Sequence, residues 1–232
     1  MAIIHHTGFV GKMPAYGDFV EGGAAHGARR AAANWAQQAL GVGGTASRPG
    51  FADTFLTTPI WRFALAAGAF GPTPSAGVFC PSMDSSGRLF PLIVVTELSE
   101  GTGVMATALR LLNWYAAMEE VALGALPRDA TREVLLGALA DPPEWQGGAV
   151  RDADSVPHDA PMTLHPLTVG QDGAPDPLAV EGDLLANAPA STPSGIWITT
   201  GTVNGHPYGY EQQGQIEIGL LDRLLGSAPP QS

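Results

Sequence analysis

Four residues in the middle of the chain bring a thiol, a hydroxyl, a carboxylate and a guanidinium close together in sequence: Cys80, Ser82, Asp84 and Arg88. These groups could act as a nucleophile, as an acid or base, and as an anion-binding group. A cysteine nucleophile needs a base or a positive neighbourhood that stabilises its thiolate. No histidine stands near Cys80, which ends an apolar run, so we expect a buried and unreactive thiol. An enzyme that uses Cys80, or the Ser82, Asp84 and Arg88 group, on a small substrate stays open as an alternative.

A phosphate-binding loop is the second chemistry to consider, because Gly11 is followed by Lys12. Such a loop requires another glycine five positions before that pair and a serine or threonine directly after it. The chain has His6 and Met13 at these two positions, so the loop is absent. The G-x-S-x-G sequence of many hydrolases also surrounds none of the serines.

The histidines do not form a metal-binding pattern. His5 and His6 adjoin near the beginning of the chain, and the others are scattered at positions 26, 158, 165 and 206. A zinc site needs histidines, cysteines or carboxylates at short helical or hairpin spacings. We therefore expect no metal, no cofactor and no catalytic residue.

The charge balance argues against nucleic acids and membranes as partners. The 232 residues carry 22 acidic and 11 basic side chains, a net charge of -11, and Lys12 is the one lysine. Binding to phosphate backbones or anionic headgroups requires clustered Lys and Arg. The longest charge-free stretch, residues 63–83, contains glycines and prolines that would break a membrane-spanning helix. We expect no nucleic-acid partner and no direct membrane insertion.

The use of cysteine indicates a reducing compartment. Cys80 is the single cysteine and cannot form an internal disulfide, whereas secreted chains with many loops often contain several. The first eleven residues lack the basic stretch and apolar core of a signal peptide. We therefore expect a cytoplasmic protein, and the sequence leaves its oligomeric state open.

The elements that must position these side chains follow from the hydrophobic periodicity. Apolar residues alternate in strands and recur every three or four positions in helices, and Gly and Pro mark the turns between them. Strands are predicted within residues 7–21 (two), 60–66, 76–80, 89–96 and 196–200, and helices at residues 26–40, 51–56 (one turn), 104–126 and 130–139. Residues 216–225 show both periods, and we favour a helix there.

This order of elements predicts a single α/β domain with a mainly antiparallel central sheet flanked by helices. Consecutive strands joined by short turns pair antiparallel, and the order matches that of longin and profilin-like domains. Residues 1–140 are interpreted as the core. Residues 141–193 are rich in Pro and Asp and predict a loop or insertion, and residues 194–232 add a strand and a helix to the same domain.

Polar side chains lie at the ends of the predicted strands or interrupt them. These are Lys12 and Asp18 in the first hairpin, Arg62 in the third strand, and Ser82, Asp84 and Arg88 around the next hairpin. An unpaired charge in an apolar strand is costly, so such an arginine either reaches solvent or pairs with a carboxylate. We predict that Arg62 pairs with Asp84 or Asp18. A patch that contacts a partner is the alternative for these residues.

Four ordered blocks of sequence carry these polar residues and their flanks. Residues 8–19 read GFVGKMPAYGDF, residues 59–65 read PIWRFAL, residues 77–92 read GVFCPSMDSSGRLFPL, and residues 196–201 read IWITTG. Together they resemble the motifs of the TagF (ImpM) family, which is associated with bacterial type VI secretion. Tyr16 stands where the family usually has a basic residue.

The resemblance implies a cytoplasmic accessory protein that represses the secretion machine after translation. In the family, repression is thought to act on a scaffold protein with a forkhead-associated domain. Lys12, Tyr16 and Arg88 are the candidates for contact with that partner, and the acidic residues 141–183 are the alternative surface. A structural subunit of the secretion apparatus is a further alternative. The resemblance assigns structural roles to Gly11, Pro14, Gly17, Asp18, Trp61, Arg62, Pro81, Ser82, Asp84, Gly87 and Pro91.

Overall fold

Eight strands and five helices form the part of the chain that the computed structural model describes, namely residues 4–41, 46–101, 103, 104, 107, 108, 111–140, 163–166, 194–199, 208–212, 216 and 218–226. The strands are β1 (Ile4–Gly11), β2 (Val20–Gly23), β3 (Trp61–Leu65), β4 (Ser75–Cys80), β5 (Leu92–Leu98), β6 (Thr163–Pro166), β7 (Gly195–Thr199) and β8 (Tyr208–Gln212). The helices are α1 (His26–Gly41), α2 (Phe51–Thr57), α3 (Leu112–Gly124), α4 (Arg132–Ala140) and α5 (Leu220–Leu224).

All eight strands belong to one sheet with the order β2-β1-β5-β4-β3-β7-β8-β6. Every neighbouring pair is antiparallel. The predicted fold class, a single α/β domain with an antiparallel sheet flanked by helices, is therefore confirmed. Strands β7 and β8 continue the sheet that the first half of the chain begins.

Helices cover both faces of this sheet. One face packs α1, α2 and α5 against Trp61, Phe63, Phe79, Val95 and Trp197. The other face packs α3 and α4 against the residues that alternate with them, such as Val78, Cys80 and Val94. Because both faces are buried, the central strand β4 is buried at every position and has no polar side chain after Ser75.

The most crowded point of the sheet lies where β1 ends beside β5. Gly11 has a φ of 148°, and a side chain there would overlap the carbonyl of Pro91 and the backbone of Leu92. Only glycine allows so close an approach of two backbones. The Gly11 and Pro91 motif positions therefore join the first strand to the start of the fifth.

The C-terminal helix α5 is attached to the sheet by aromatic side chains. The indole N–H of Trp61 donates to the carbonyl of Leu224 at 3.1 Å, and the Tyr210 hydroxyl donates to the carbonyl of Arg223 at 3.1 Å. The two rings lie 5.4 Å apart. The helix predicted near residues 216–225 is confirmed over Leu220–Leu224.

Most predicted elements occur within a few residues of the expected bounds. The two strands of residues 7–21, the three strands before residue 98, and helices α1, α2 and α4 are all present. Within the helix predicted for residues 104–126, α3 begins at Leu112. Helical hydrogen bonds precede it, from Thr107 to the carbonyl of Gly103 and from Leu111 to that of Thr107.

Residues 141–193 require a correction, because a strand lies inside the predicted loop. Thr163–Pro166 forms β6, which pairs with Tyr208–Gln212, a second strand that the pattern did not predict. A segment of four residues that includes a proline is too short to show the alternation of apolar and polar residues typical of a strand. Proline is nevertheless tolerated in a strand at the edge of a sheet. The rest of the predicted loop lies outside the described residues. None of the described helices has the length and apolar character needed to cross a membrane.

Candidate functional site

Two loops meet at one end of the sheet and bring the polar motif residues together. Strands β1 and β4 both run antiparallel to β5, so their carboxyl ends lie beside the beginning of β5. The loop after β1 and the loop after β4 therefore adjoin. We call the surface made by residues 16–19 and 85–90, together with the buried Lys12 and Asp84 beneath it, the hairpin face.

Asp84 lies at the centre of the hairpin face and is only 1% exposed. Its Oδ2 accepts hydrogen bonds from Arg88 Nε at 2.7 Å and pairs with Lys12 Nζ at 3.0 Å. Its Oδ1 accepts the backbone N–H of Ser86 at 2.9 Å and that of Arg88 at 3.0 Å. One carboxylate thus closes the β4–β5 loop on itself and attaches it to the end of β1.

The Asp84 carboxyl is held in its ionised form. Burial alone would raise its pKa, but the hydrogen bonds from Lys12, Arg88 and Ser86 outweigh burial and hold the pKa well below its usual range. Asp84 is therefore a permanent negative charge at neutral pH. A carboxyl that stays ionised has no proton to donate near neutral pH, and a carboxylate with so low a pKa is a weak general base.

Lys12 was expected among the exposed contact residues, and the structure buries it. The side chain is 6% exposed, and its ammonium also lies 3.4 Å from the carbonyl oxygen of Arg88. The same ammonium stands 5.3 Å from the centre of the Phe19 ring. Its charge is used inside the protein, because Asp84 requires a buried counter-ion. Lys12 thus supports the hairpin face from below and is not part of its exposed surface.

Tyr16 is half-buried and joins three segments. Its carbonyl accepts the N–H of Ser85 at 2.8 Å, and its hydroxyl accepts the N–H of Arg132 at the start of α4 at 2.9 Å. The backbone N–H of Tyr16 donates to Met13, which closes a turn around Pro14. Tyr16 therefore fixes the position of the first loop, and its hydroxyl oxygen contacts the start of α4.

Arg88 is the candidate whose charged group reaches the surface, with 61% of its side chain exposed. Besides Asp84, it donates from its terminal nitrogen to the carbonyl of Gly17 in the other loop. An exposed arginine usually moves freely, but two fixed acceptors hold this guanidinium across the junction of the loops.

Phe19 belongs to the hairpin face and was not singled out as a contact residue. It is 52% exposed, and its ring packs edge-on against Phe90 at 4.7 Å between centres. Its backbone N–H donates to the Asp18 carboxylate at 2.8 Å. Two features of the sequence could have indicated it. Phe19 directly follows the turn residues Gly17 and Asp18, and the loop between β4 and β5 also contains a phenylalanine, Phe90.

The remaining motif residues shape the loops. Ser82 is buried and donates its hydroxyl to the carbonyl of Lys12 at 2.8 Å, which ties the two loops together. Gly87 adopts a φ of 82°, a left-handed conformation that glycine accepts without strain. Pro81 and Pro91 stand directly after β4 and directly before β5. Because the Ser82 hydroxyl is committed to a backbone carbonyl, it is not available as a nucleophile.

Arg62 lies elsewhere, and its predicted pairing with Asp84 or Asp18 is wrong. Its Nε and terminal nitrogen donate to the two oxygens of Glu119 on α3, both at 2.7 Å. Arg62 is the second residue of β3, and its contact with Glu119 places it on the face that α3 covers. Glu119 is 57 positions distant in sequence, and no local pattern marked it as the partner.

Cys80 is buried, as the sequence predicts, against the same helix. Burial raises the pKa of its thiol to about 12, and the negative charge of Glu119 adds to the effect. The thiol is therefore protonated at neutral pH and a poor nucleophile. In the part of the chain that the structure describes, no group of three or more His, Cys, Asp or Glu residues could hold a metal ion.

Comparison with known proteins places these motifs in a family. Residues 8–141 match the family described as the TagF N-terminal domain, type VI secretion system-associated. The crystal structure of PA0076 from Pseudomonas aeruginosa PAO1 has the same fold, with a TM-score of 0.68 and 24% sequence identity over 97% of each chain. No curated protein matches the chain significantly. The matched residues include both loops of the hairpin face and the strands that carry them, and the chain belongs to the TagF family of type VI secretion system-associated proteins.

Proposed function

We propose that this protein represses type VI secretion after translation by binding the scaffold protein that carries a forkhead-associated domain. The observation that carries the proposal is the convergence of two family blocks, residues 8–19 and 77–92, on the hairpin face. They meet around a buried carboxylate, and Arg88 and Phe19 stand exposed on the surface above it.

The composition of the hairpin face supports a role in protein binding. Arginine and aromatic side chains provide much of the binding energy of protein interfaces. Side chains that are already held in one position lose less conformational entropy when a partner binds. Arg88 is held by Asp84 and Gly17, and Phe19 is held by Phe90 and by its own backbone hydrogen bond.

The groups considered for catalysis favour the same proposal. The Cys80 thiol is buried and protonated, the Ser82 hydroxyl is committed to a backbone carbonyl, and Asp84 is permanently ionised. A regulator that acts on the scaffold would work in the cytoplasm by occupancy, and it would need none of these groups to react.

Overproduction in the native host tests the proposal. Extra copies should reduce the amount of secreted effector in the culture medium, while transcripts and protein levels of the apparatus stay unchanged. Arg30→Glu, which reverses an exposed charge on α1, is the control and should repress like the parent. Lower transcript levels would instead indicate action on expression. Stoichiometric presence in purified secretion particles would indicate a structural subunit.

A further inference from the structure

We propose that Phe19 and Arg88 are the two anchors of the interface, and that the bound segment of the scaffold offers an apolar side chain beside a carboxylate. This inference rests on the proposed function and adds the chemistry of the partner. It assigns the apolar side chain to the Phe19 ring and the carboxylate to the Arg88 guanidinium.

Phe19 is a fixed apolar contact on the surface. Its ring packs edge-on against Phe90, and the Lys12 ammonium lies 5.3 Å from the ring centre. Slightly more than half of the residue, 52%, remains in contact with water. Covering an exposed aromatic surface is favourable at about 25 cal/mol per Å² before the costs of association are counted. A partner residue that covers this ring must itself be apolar to retain that gain.

Arg88 has hydrogen-bond donors to spare. A guanidinium carries five N–H groups, and the described partners, Asp84 and Gly17, account for two of them. With 61% of the side chain exposed, the remaining donors face water. A carboxylate can accept two parallel hydrogen bonds from one guanidinium, which gives direction as well as strength.

The charges around Arg88 favour an anionic partner group. Lys12 and Arg88 both contact the same oxygen of Asp84, so two cations share one buried anion. Lys12 is buried beside that anion, which leaves the exposed positive charge on Arg88. Asp18, in the other loop, is the second carboxylate of the hairpin face, and its Oδ1 accepts the Phe19 N–H. Arg88 is thus an exposed cation that is held in place and has donors to spare, and a carboxylate can pair with it although the chain as a whole carries a net charge of -11.

The two anchors are connected by the same buried residues. Lys12 contacts the Phe19 ring on one side and Asp84 on the other, and Asp84 contacts Arg88. The Phe19 ring and the Arg88 guanidinium are therefore separated only by the buried ion pair of Lys12 and Asp84. A short extended segment with an apolar residue and an acidic residue two positions apart can reach both anchors, because such residues point to the same side of the chain.

Titration calorimetry with the purified full-length protein and the purified scaffold tests the inference. Phe19→Ala and Arg88→Gln should each weaken binding by about tenfold or more, as expected for interface anchors. Two matched controls remove similar groups elsewhere: Leu56→Ala, an exposed apolar residue on α2, and Arg30→Gln on α1. Both controls should bind like the parent. Thermal melting of each variant verifies that it is folded.

The dependence of binding on salt concentration distinguishes the contribution of Arg88 from that of Phe19. Raising the salt concentration should weaken binding of the parent and of Phe19→Ala, and should have a smaller effect on Arg88→Gln, because screening acts on the ion pair. Binding without salt dependence would overturn the carboxylate assignment. Binding that requires prior phosphorylation of the scaffold would replace the carboxylate by a phosphate and also overturn it.

The outcomes also separate this inference from the proposed function. If the parent binds the scaffold and folded Phe19→Ala and Arg88→Gln bind equally well, the anchors are wrong and the repressor proposal stands. If the parent does not bind the scaffold at all, the proposed function fails and the inference fails with it.

Discussion

Arg62 and Arg88 each contact a carboxylate, and their surroundings give them different roles. The Arg62 and Glu119 side chains are 15% and 13% exposed and use both oxygens of the carboxylate between them. At the hairpin face, one buried carboxylate serves two cations, and Arg88 remains 61% exposed. The first pair is closed and structural. The second pair leaves hydrogen-bond donors of Arg88 at the surface. A buried carboxylate can therefore hold an exposed guanidinium in a fixed position for binding.

Breaking the closed pair should have the largest effect on stability. Arg62→Ala leaves the Glu119 carboxylate without its guanidinium. Removing one partner of a fully buried pair costs about 3 to 5 kcal/mol of unfolding free energy, and for this largely buried pair we expect a loss of up to that size. Chemical denaturation measures the loss. The double variant Arg62→Met with Glu119→Leu is the control and should recover most of the stability, because it removes both charges together. Unfolding of Arg62→Ala at the parent's midpoint would show that the pair contributes little.

Breaking the central contact of the hairpin face should affect stability less and binding more. Asp84→Asn retains an acceptor for the backbone N–H groups of Ser86 and Arg88 but loses the charge that holds Lys12 and the Arg88 guanidinium. We expect a lower melting temperature and weaker scaffold binding. Thermal melting and calorimetry on the same sample check both. If Asp84→Asn has a lower melting temperature but binds the scaffold as the parent does, Asp84 does not contribute to the interface.

The pH dependence sharpens this comparison. The Asp84 pKa is depressed in the folded protein relative to about 3.9 in an unfolded chain, so its ionised form stabilises the fold above that value. The contribution decreases as the pH falls below about 4 and through the folded pKa. The stability difference between the parent and Asp84→Asn should therefore be constant near neutral pH and become smaller in acid. A difference that grows in acid would contradict the assignment.

The smallest effect is expected at Cys80. Because the thiol is buried and its pKa is about 12, a thiol reagent should label the native protein slowly and the denatured protein fast. Cys80→Ala should repress secretion like the parent. Rapid labelling of the native protein, together with loss of repression in the variant, would favour the enzyme alternative.

Local periodicity was sufficient for much of the fold. Helix α1 repeats Ala28, Ala32, Trp35 and Ala39 on one face, and β4 is apolar after Ser75, so both were predictable from their own residues. Strands β6 and β8 were not, because each has few residues. Strand β6 gains its hydrogen bonds from β8, more than forty positions away, and β8 lies between β6 and β7 in the sheet. Pairings of that range depend on the assembled sheet and not on the pattern of either segment.

The site was predictable in its members but not in their roles. Lys12, Asp84 and Arg88 were all singled out, yet which cation is buried depends on how two loops pack, and both side chains look equally exposed in a sequence. The partner of Arg62 was missed because α3 and β3 meet only in three dimensions. Phe19 was missed because an aromatic residue beside a strand is ordinarily part of the core.

The attachment of α5 to Trp61 has a consequence for synthesis on the ribosome. Trp61 is fully buried, and its indole N–H is satisfied by the carbonyl of Leu224, 163 positions later. A nascent chain that has emerged only as far as β5 leaves this indole and its neighbouring aromatic surface uncovered. Such surface attracts other chains and chaperones. We therefore expect chains terminated before residue 208 to aggregate in the cell, even though they contain the entire hairpin face.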